Sequence, residues 1–209
     1  MNIITISREF GSGGREVGKR LADILGYDYC DREIISEVAK IGNFNEKFVE
    51  EAEEKGYASG YTLTFGRTFF YPVAVWDNST RILLAEHAVL EGIAQKGRDC
   101  IIVGRCADVV LEKYNPFNIF VHADMDAKVA RCKAYIKDGD DVNDKELIKK
   151  IKTIDKNRAK HHDVFADVSW GSKEGYHLCV NTTSISPKDI SPIVAEYAKS
   201  YFSNRKNNK

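Results

Sequence analysis

The chain has 209 residues, enough for one sizeable core or one domain with an inserted segment, without requiring two independent folds. Its 31 Lys and Arg balance 31 Asp and Glu, so any polyanion site must be a local cluster, and neither nucleic acid nor an anionic membrane is an expected partner. Five cysteines, Cys30, Cys100, Cys106, Cys132 and Cys179, form no C-x-x-C pair and sit mostly beside apolar residues, as thiols of a reducing compartment do, so neither disulfides nor zinc are expected. The N-terminus enters a strand with no signal-like leader, and no stretch approaches the ~20 apolar residues of a membrane span. The expectation is a cytoplasmic protein acting on small molecules.

The first element carries the most information. A β-branched run, Ile3 to Ile6, leads through Ser7-Arg8-Glu9-Phe10 into Gly11-Ser12-Gly13-Gly14, and Arg15-Glu16-Val17-Gly18 then opens a helical pattern. Strand, glycine turn and helix N-terminus are the parts of a phosphate-binding loop: glycines turn tightly, their N–H groups form a concave nest, and the helix adds its positive end. Against G-x-x-x-x-G-K-[ST], Gly14 holds the second glycine, Glu9 the first position, Arg15 the lysine and Glu16 the hydroxyl. A second register, Gly13 through Gly18-Lys19, would delay the helix until Gly18 and waste Val17 as a core contact, so Arg15 is the better phosphate cation. Arginine can grip phosphate bidentately but is longer than lysine, which changes the geometry of the site. The alternatives are a turn kept for tight packing and a surface arginine.

Val17, Leu21, Ile24 and Leu25 recur at helical spacing, Gly26 stops that helix, and Tyr27 to Cys30 is a short strand. Asp31 can cap a helix through Val38, which Gly42-Asn43-Phe44-Asn45 breaks. Glu46 to Lys55 is acidic and helix-prone, while Tyr57 to Trp76 is crowded with Tyr, Phe, Gly and Thr without a period. Burial under a loop is the plain reading of those aromatics; a substrate lid or a homodimer contact is the sharper one. A helix follows from about Arg81 to Gln95, then the apolar strand Cys100 to Val103. Further strands at Phe117 to Val121 and Tyr176 to Val180 are separated by helices at Asp126 to Lys137, Asp144 to about His161, and Pro187 to Phe202. Asn204 to Lys209 reads as a frayed tail.

Strands alternating with helices predict an α/β fold, a parallel sheet of about five strands with helices on both faces, binding ligands at the strands' carboxyl ends. The glycine loop, Asp31 and Gly104-Arg105 each follow a strand directly and could converge there. Lys152, Asp155 and Arg158 lie at i, i+3 and i+6 on one helix, with Arg131 on the preceding one. Most such faces are merely solvated. His161 and His162, being adjacent, point different ways, and no histidine is assigned to a metal.

Order and spacing together resemble the cytidylate kinase-like branch of the P-loop nucleoside monophosphate kinases, from Ile3 to about Phe202, with 42–80 poorly matched. Ile4 to Glu16 is close to that group's signature, whereas true cytidylate kinases carry G-x-S-G-x-G-K-G-T there. Val103-Gly104-Arg105-Cys106-Ala107-Asp108-Val109-Val110 resembles D-G-R-D-x-G-T-V, with Val103 and Cys106 in place of both acids. Ile119 to Ala123 and onward to Arg131 is similar to the strand and helix leading into the lid, Ile151 to Arg158 to the basic lid helix, and Tyr176 to Thr182 to the final strand.

The resemblance implies a three-layer P-loop domain over 1–205, with an acceptor-binding insert at about 42–80, a lid at about 135–162, and a disordered 206–209. It implies transfer of the ATP γ-phosphoryl to a nucleoside monophosphate or similar small acceptor, with Mg2+ held by hydroxyl, carboxylate and water oxygens, a role open to Asp108 or Glu16. Gly11, Ser12, Gly13, Gly14, Arg15 and Glu16 would bind the donor nucleotide, Arg15, Arg131, Lys152 and Arg158 would be catalytic, and Asp31, Arg105 and Asp155 would meet the acceptor. The alternative is a nucleotide-binding regulator that turns over little or nothing.

Overall fold

The structure, a computed structural model, describes residues 1–55, 63–65, 68–70, 73–135 and 143–207. In chain order the elements are β1 (Ile3–Arg8), α1 (Gly14–Leu25), β2 (Asp28–Cys30), α2 (Arg32–Gly42), α3 (Glu46–Lys55), β3 (Leu63–Phe65), β4 (Thr68–Phe70), α4 (Val73–Gln95), β5 (Cys100–Val103), α5 (Ala107–Val110), β6 (Phe117–His122), α6 (Met125–Lys133), α7 (Asp144–Asp163), β7 (Leu178–Asn181) and α8 (Pro187–Asn207). β1 is buried at all six positions, which is why its sequence runs apolar and β-branched instead of alternating.

β1 is the middle strand of a five-stranded parallel sheet ordered β2-β5-β1-β6-β7. Ile3 to Ile6 pair with Cys100 to Val103 on one side, and Ile4 to Arg8 with Phe117 to Val121 on the other. Successive strand residues point to opposite faces, so the strands feed two cores. Ile3, Cys100 and Ile102 pack with Ile34, Val38, Ile82 and Leu90 of α2 and α4. Ile4, Ile6, Ile101 and Val103 pack with Val17 and Leu21 of α1 and with Val194, Ala198 and Phe202 of α8. The sheet order turns around at β1, and in open parallel sheets the ligand crevice lies outside the strand ends at such a point.

α1 begins at Gly14, so Gly18 and Lys19 stand a full turn inside the helix and cannot belong to a phosphate loop. Gly18 is there for packing: a Cβ would lie 3.0 Å from both Ile6 Cδ1 and Val103 Cγ2, tighter than the sheet allows without shifting. Lys19 is exposed, with Nζ 5.7 Å from the centroid of Tyr29. Gly26 closes α1 in the left-handed region, and Asn43 does the same for α2.

Several boundaries differ from the sequence pattern. α4 starts at Val73 instead of Arg81, running through Asn78, Ser79 and Thr80, whose helix penalties of well under 1 kcal/mol each are overridden by context. α8 continues to Asn207, past the expected start of a frayed tail. Asp31 occupies the N-cap position of α2, but its side chain makes no capping bond. The aromatic segment 57–76 lies outside the described residues except for the backbone of the β3–β4 hairpin and the first residues of α4, and 136–142 of the expected lid lie outside them too. Among the described residues no helix is long and apolar enough to cross a membrane, and the cysteines are free thiols.

Candidate active site

At the end of β1 the backbone turns through Gly11 and Gly13, at φ +76° and +82°, where an L side chain would be strained. Between them Ser12 is fully buried, its hydroxyl donating to Glu9 O at 2.8 Å while its own carbonyl accepts from Thr182 Oγ1 at 2.7 Å. Gly13 is the N-cap of α1 and brings no side-chain cap, so the first-turn amides keep their donor capacity for a ligand.

These amides border an open cleft of about 940 Å³. Gly11, Gly13, Gly14, Arg15 and Glu16 form its floor, and Arg8, Arg32, Arg131, Lys150 and Arg158 bring further positive charge to it, against the carboxylates of Glu9 and Glu16. A volume of this size takes a ligand of nucleotide dimensions, and the excess of cations suits phosphate.

The residues expected at the site have distinct placements. Arg15 is half-exposed in the cleft, its Nε 3.1 Å from Asp31 Oδ2. Tyr29 Oη stands 3.3 Å from both Asp31 Oδ2 and Arg15 O, and burial, with the Asp31 charge, pushes its pKa up. Glu16 lines the cleft and accepts from Arg20 Nε at 2.8 Å. Arg131 spends both terminal nitrogens on backbone, donating to Gly11 O and Thr182 O at 2.8 Å each, and so pins the glycine loop to the end of β7. Arg158 Nη1 donates to Arg8 O at 3.1 Å, and its guanidinium lies 5.7 Å from the Phe10 ring centroid. Asp155 Oδ1 accepts the Phe10 N–H at 2.6 Å and Oδ2 lies 3.2 Å from Lys128 Nζ; burial raises its pKa while the Phe10 bond and Lys128 oppose the rise. Lys152 is exposed and does not line the cleft; Lys150, half a turn earlier, does.

Arg105 is set apart. Gly104, Arg105 and Cys106 all have positive φ, +80°, +60° and +50°, a left-handed turn launching α5 that costs about 1–2 kcal/mol at each non-glycine residue. The turn buries Arg105 against Glu86 of α4, both side chains under 5% exposed. Arg8 lies across Gly104, where a Cβ would collide with its guanidinium. Arg105 faces a separate small cavity of about 30 Å³, shared with Ser7, Cys106, His161 and His162; Arg8 and Arg158 line both spaces. Asp108 is bonded to His162 Nε2 at 2.9 Å, away from the cleft, leaving Glu16 as the carboxylate beside the glycine loop of the two considered for a metal. Among the described residues no three His, Cys, Asp or Glu side chains group as a metal site.

Arg8, Arg32, Lys128 and Lys150 are contributors that pattern reading passed over. Arg8 and Arg32 had a usable signal, each standing beside a strand end that the pattern identifies.

The sequence matches the model of the cytidylate kinase-like family over residues 3–184. No curated protein matches it. Among solved structures, an uncharacterized protein from Eubacterium ventriosum superposes with a TM-score of 0.70 at 24% identity, covering 96% of this chain and 99% of that one. Shikimate kinase from Acinetobacter baumannii, in complex with shikimate, gives 0.54 at 14% identity over 96% and 94% of the two chains. Shikimate kinase from Bacteroides thetaiotaomicron gives 0.57 at 13% identity over 97% and 98%. At these identities the structural likeness establishes a shared α/β kinase fold, and the family match, spanning most of the sequence, shows that the chain belongs to the cytidylate kinase-like family.

Proposed function

We propose that the protein is a phosphotransferase that moves the γ-phosphoryl of ATP to a nucleoside monophosphate or a similar small phosphorylated acceptor. The observation that carries this reading is the convergence of the glycine loop and α1 N-terminus with Arg8, Arg15, Arg32, Lys150 and Arg158 on one cleft. Phosphoryl transfer needs no protein nucleophile. It needs donor and acceptor held in line and the charge on the equatorial oxygens neutralised, which suits such a cationic cleft.

In this reading Gly11, Gly13 and Gly14 present backbone N–H groups to the donor phosphates, with Arg15 as their side-chain cation. Arg158, on α7, and Arg32, at the start of α2, bring charge to the same cleft. Arg131 acts through the loop it pins. The donor set fits a magnesium held chiefly by phosphate oxygens and water, with Glu16 as the protein carboxylate; the ion supplies charge neutralisation when bound.

A second reading, a nucleotide-binding regulator with little turnover, draws on Arg105. The arginine that the resemblance assigns to the acceptor phosphate is buried in an ion pair with Glu86. An ADP-release assay across a panel of monophosphates separates the two. Acceptor-dependent turnover supports the transferase; tight ADP binding with none supports the regulator.

A further inference from the structure

Lys128 on α6 keeps only 6% of its side chain exposed, and an ammonium so placed must be paired. Its Nζ lies 2.7 Å from Glu9 Oε2 and 3.2 Å from Asp155 Oδ2. The two carboxylates come from different parts of the fold: Glu9 opens the glycine loop, and Asp155 stands in the middle of α7. Each also holds backbone. Asp155 Oδ1 accepts the Phe10 N–H at 2.6 Å, and Glu9 Oε2 accepts the Ala123 N–H at 3.2 Å. The segment directly before Gly11 is therefore gripped through one side chain and one amide. The other charged group packed against Asp155 is Arg158, 4.0 Å from Oδ1, and the Cys132 thiol of α6 faces the same region.

We infer that Lys128, Glu9 and Asp155 are positioning residues for the glycine loop, a buried charge clamp that aims its amides at the donor phosphates and joins α7 to it. The inference rests on reading the loop as the donor-phosphate site. A misplacement of about 1 Å in such an oriented site is enough to cost on the order of 100-fold in rate, so a clamp two residues from Gly11 has leverage over the direction of the loop's amides.

The test uses ADP as probe. Asp155→Asn is nearly isosteric and keeps an oxygen for the Phe10 N–H, and Glu9→Gln, at a partly exposed side chain, is the second variant should the first not fold. Calorimetry on each folded variant is expected to show ADP affinity reduced at least about tenfold, with the double substitution little worse than the weaker single one, as for residues acting as a unit. In wild-type protein the Phe10 amide resonance is expected to titrate with the Asp155 carboxyl, and in Asp155→Asn that titration disappears, a signature that a general loss of stability does not produce. A flat Phe10 titration in wild type, or ADP affinity within about twofold of wild type in a folded variant, overturns the clamp and leaves the donor-site reading standing. Wild-type protein that binds no ADP overturns both.

Discussion

Arg15, which lines the cleft, is ion-paired with Asp31, Nε to Oδ2 at 3.1 Å. Asp31 makes no helix cap because its carboxylate is turned toward this arginine and toward Tyr29. In the proposed reading, an Arg15 that reaches for phosphate loosens its hold on Asp31.

Arg15 is half in water but the Asp31 side chain is only 12% exposed, so the pair contributes more to folding than a fully exposed one, whose worth is about 0.2–1 kcal/mol. Its contribution to binding is another matter. Arg15→Ala is expected to lower the urea midpoint, because Asp31 loses its cationic partner, and to weaken ADP binding, measured by calorimetry, by at least about 1.5 kcal/mol, the low end for a charge-assisted contact. Unchanged affinity would remove Arg15 from the donor site.

On α7 the geometry separates residues that spacing had grouped. Arg158 lines the cleft and Lys152 does not, so Arg158→Ala should lower turnover more than about tenfold with a smaller rise in the Michaelis constant, while Lys152→Ala should leave both within about twofold. Lys150→Ala should chiefly raise the Michaelis constant for ATP, as loss of a cation that grips ground and transition states alike. Steady-state kinetics with the best acceptor decides it, and equal effects of Arg158→Ala and Lys152→Ala would remove the lid assignment.

How far the sequence could be read follows from the range of each interaction. The sheet and its flanking helices were legible because Ile3 to Ile6, Cys100 to Val103 and Phe117 to Val121 are runs whose burial leaves a local mark. The glycine loop was legible for the same reason, Gly11 and Gly13 being needed for backbone angles. What pattern could not give was the direction of long charged side chains. Lys152 faces solvent, whereas Arg105 turns under α4 to a partner 19 residues away and Arg131 faces a backbone carbonyl 120 residues away in sequence. Lys128 was invisible for a further reason: in a helix reading M-D-A-K-V-A-R-C-K it looks like one of three surface cations.

Arg105 and Glu86 form an ion pair with both side chains under 5% exposed, and removal of the arginine takes a cation from a buried carboxylate whose Oε2 also lies 3.9 Å from His161 Nε2. Arg105→Ala should destabilise the fold by about 3–5 kcal/mol in urea unfolding, whereas replacing both by apolar residues of similar volume should cost much less. If Arg105 also serves an acceptor phosphate, CMP will raise the Tm of the wild-type protein more than inorganic phosphate does, because a pocket built for several polar groups is penalised by a ligand that lacks them. A panel in which no monophosphate outperforms phosphate removes the nucleoside monophosphate acceptor and leaves only the P-loop fold.

The last prediction concerns pH. His162 of α7 is 5% exposed, and its Nε2 lies 2.9 Å from Asp108 Oδ2. Burial disfavours the imidazolium, but the bond to Asp108 and the charge of Asp163 outweigh it, so the pKa stands above the ordinary 6.5. A group whose pKa is raised by folding binds its proton more tightly in the native state, and its stabilisation is complete below the unfolded value. It is then lost as pH rises through the folded value. The wild-type urea midpoint should accordingly fall as pH is taken upward from about 6.5, a slope over and above that of the other groups. Asp108→Asn removes the carboxylate that holds the proton, so its midpoint should be lower at pH 6 and the extra slope should vanish. Parallel curves for the two proteins from pH 6 to 9 would show that Asp108 does not hold the His162 proton in the native state.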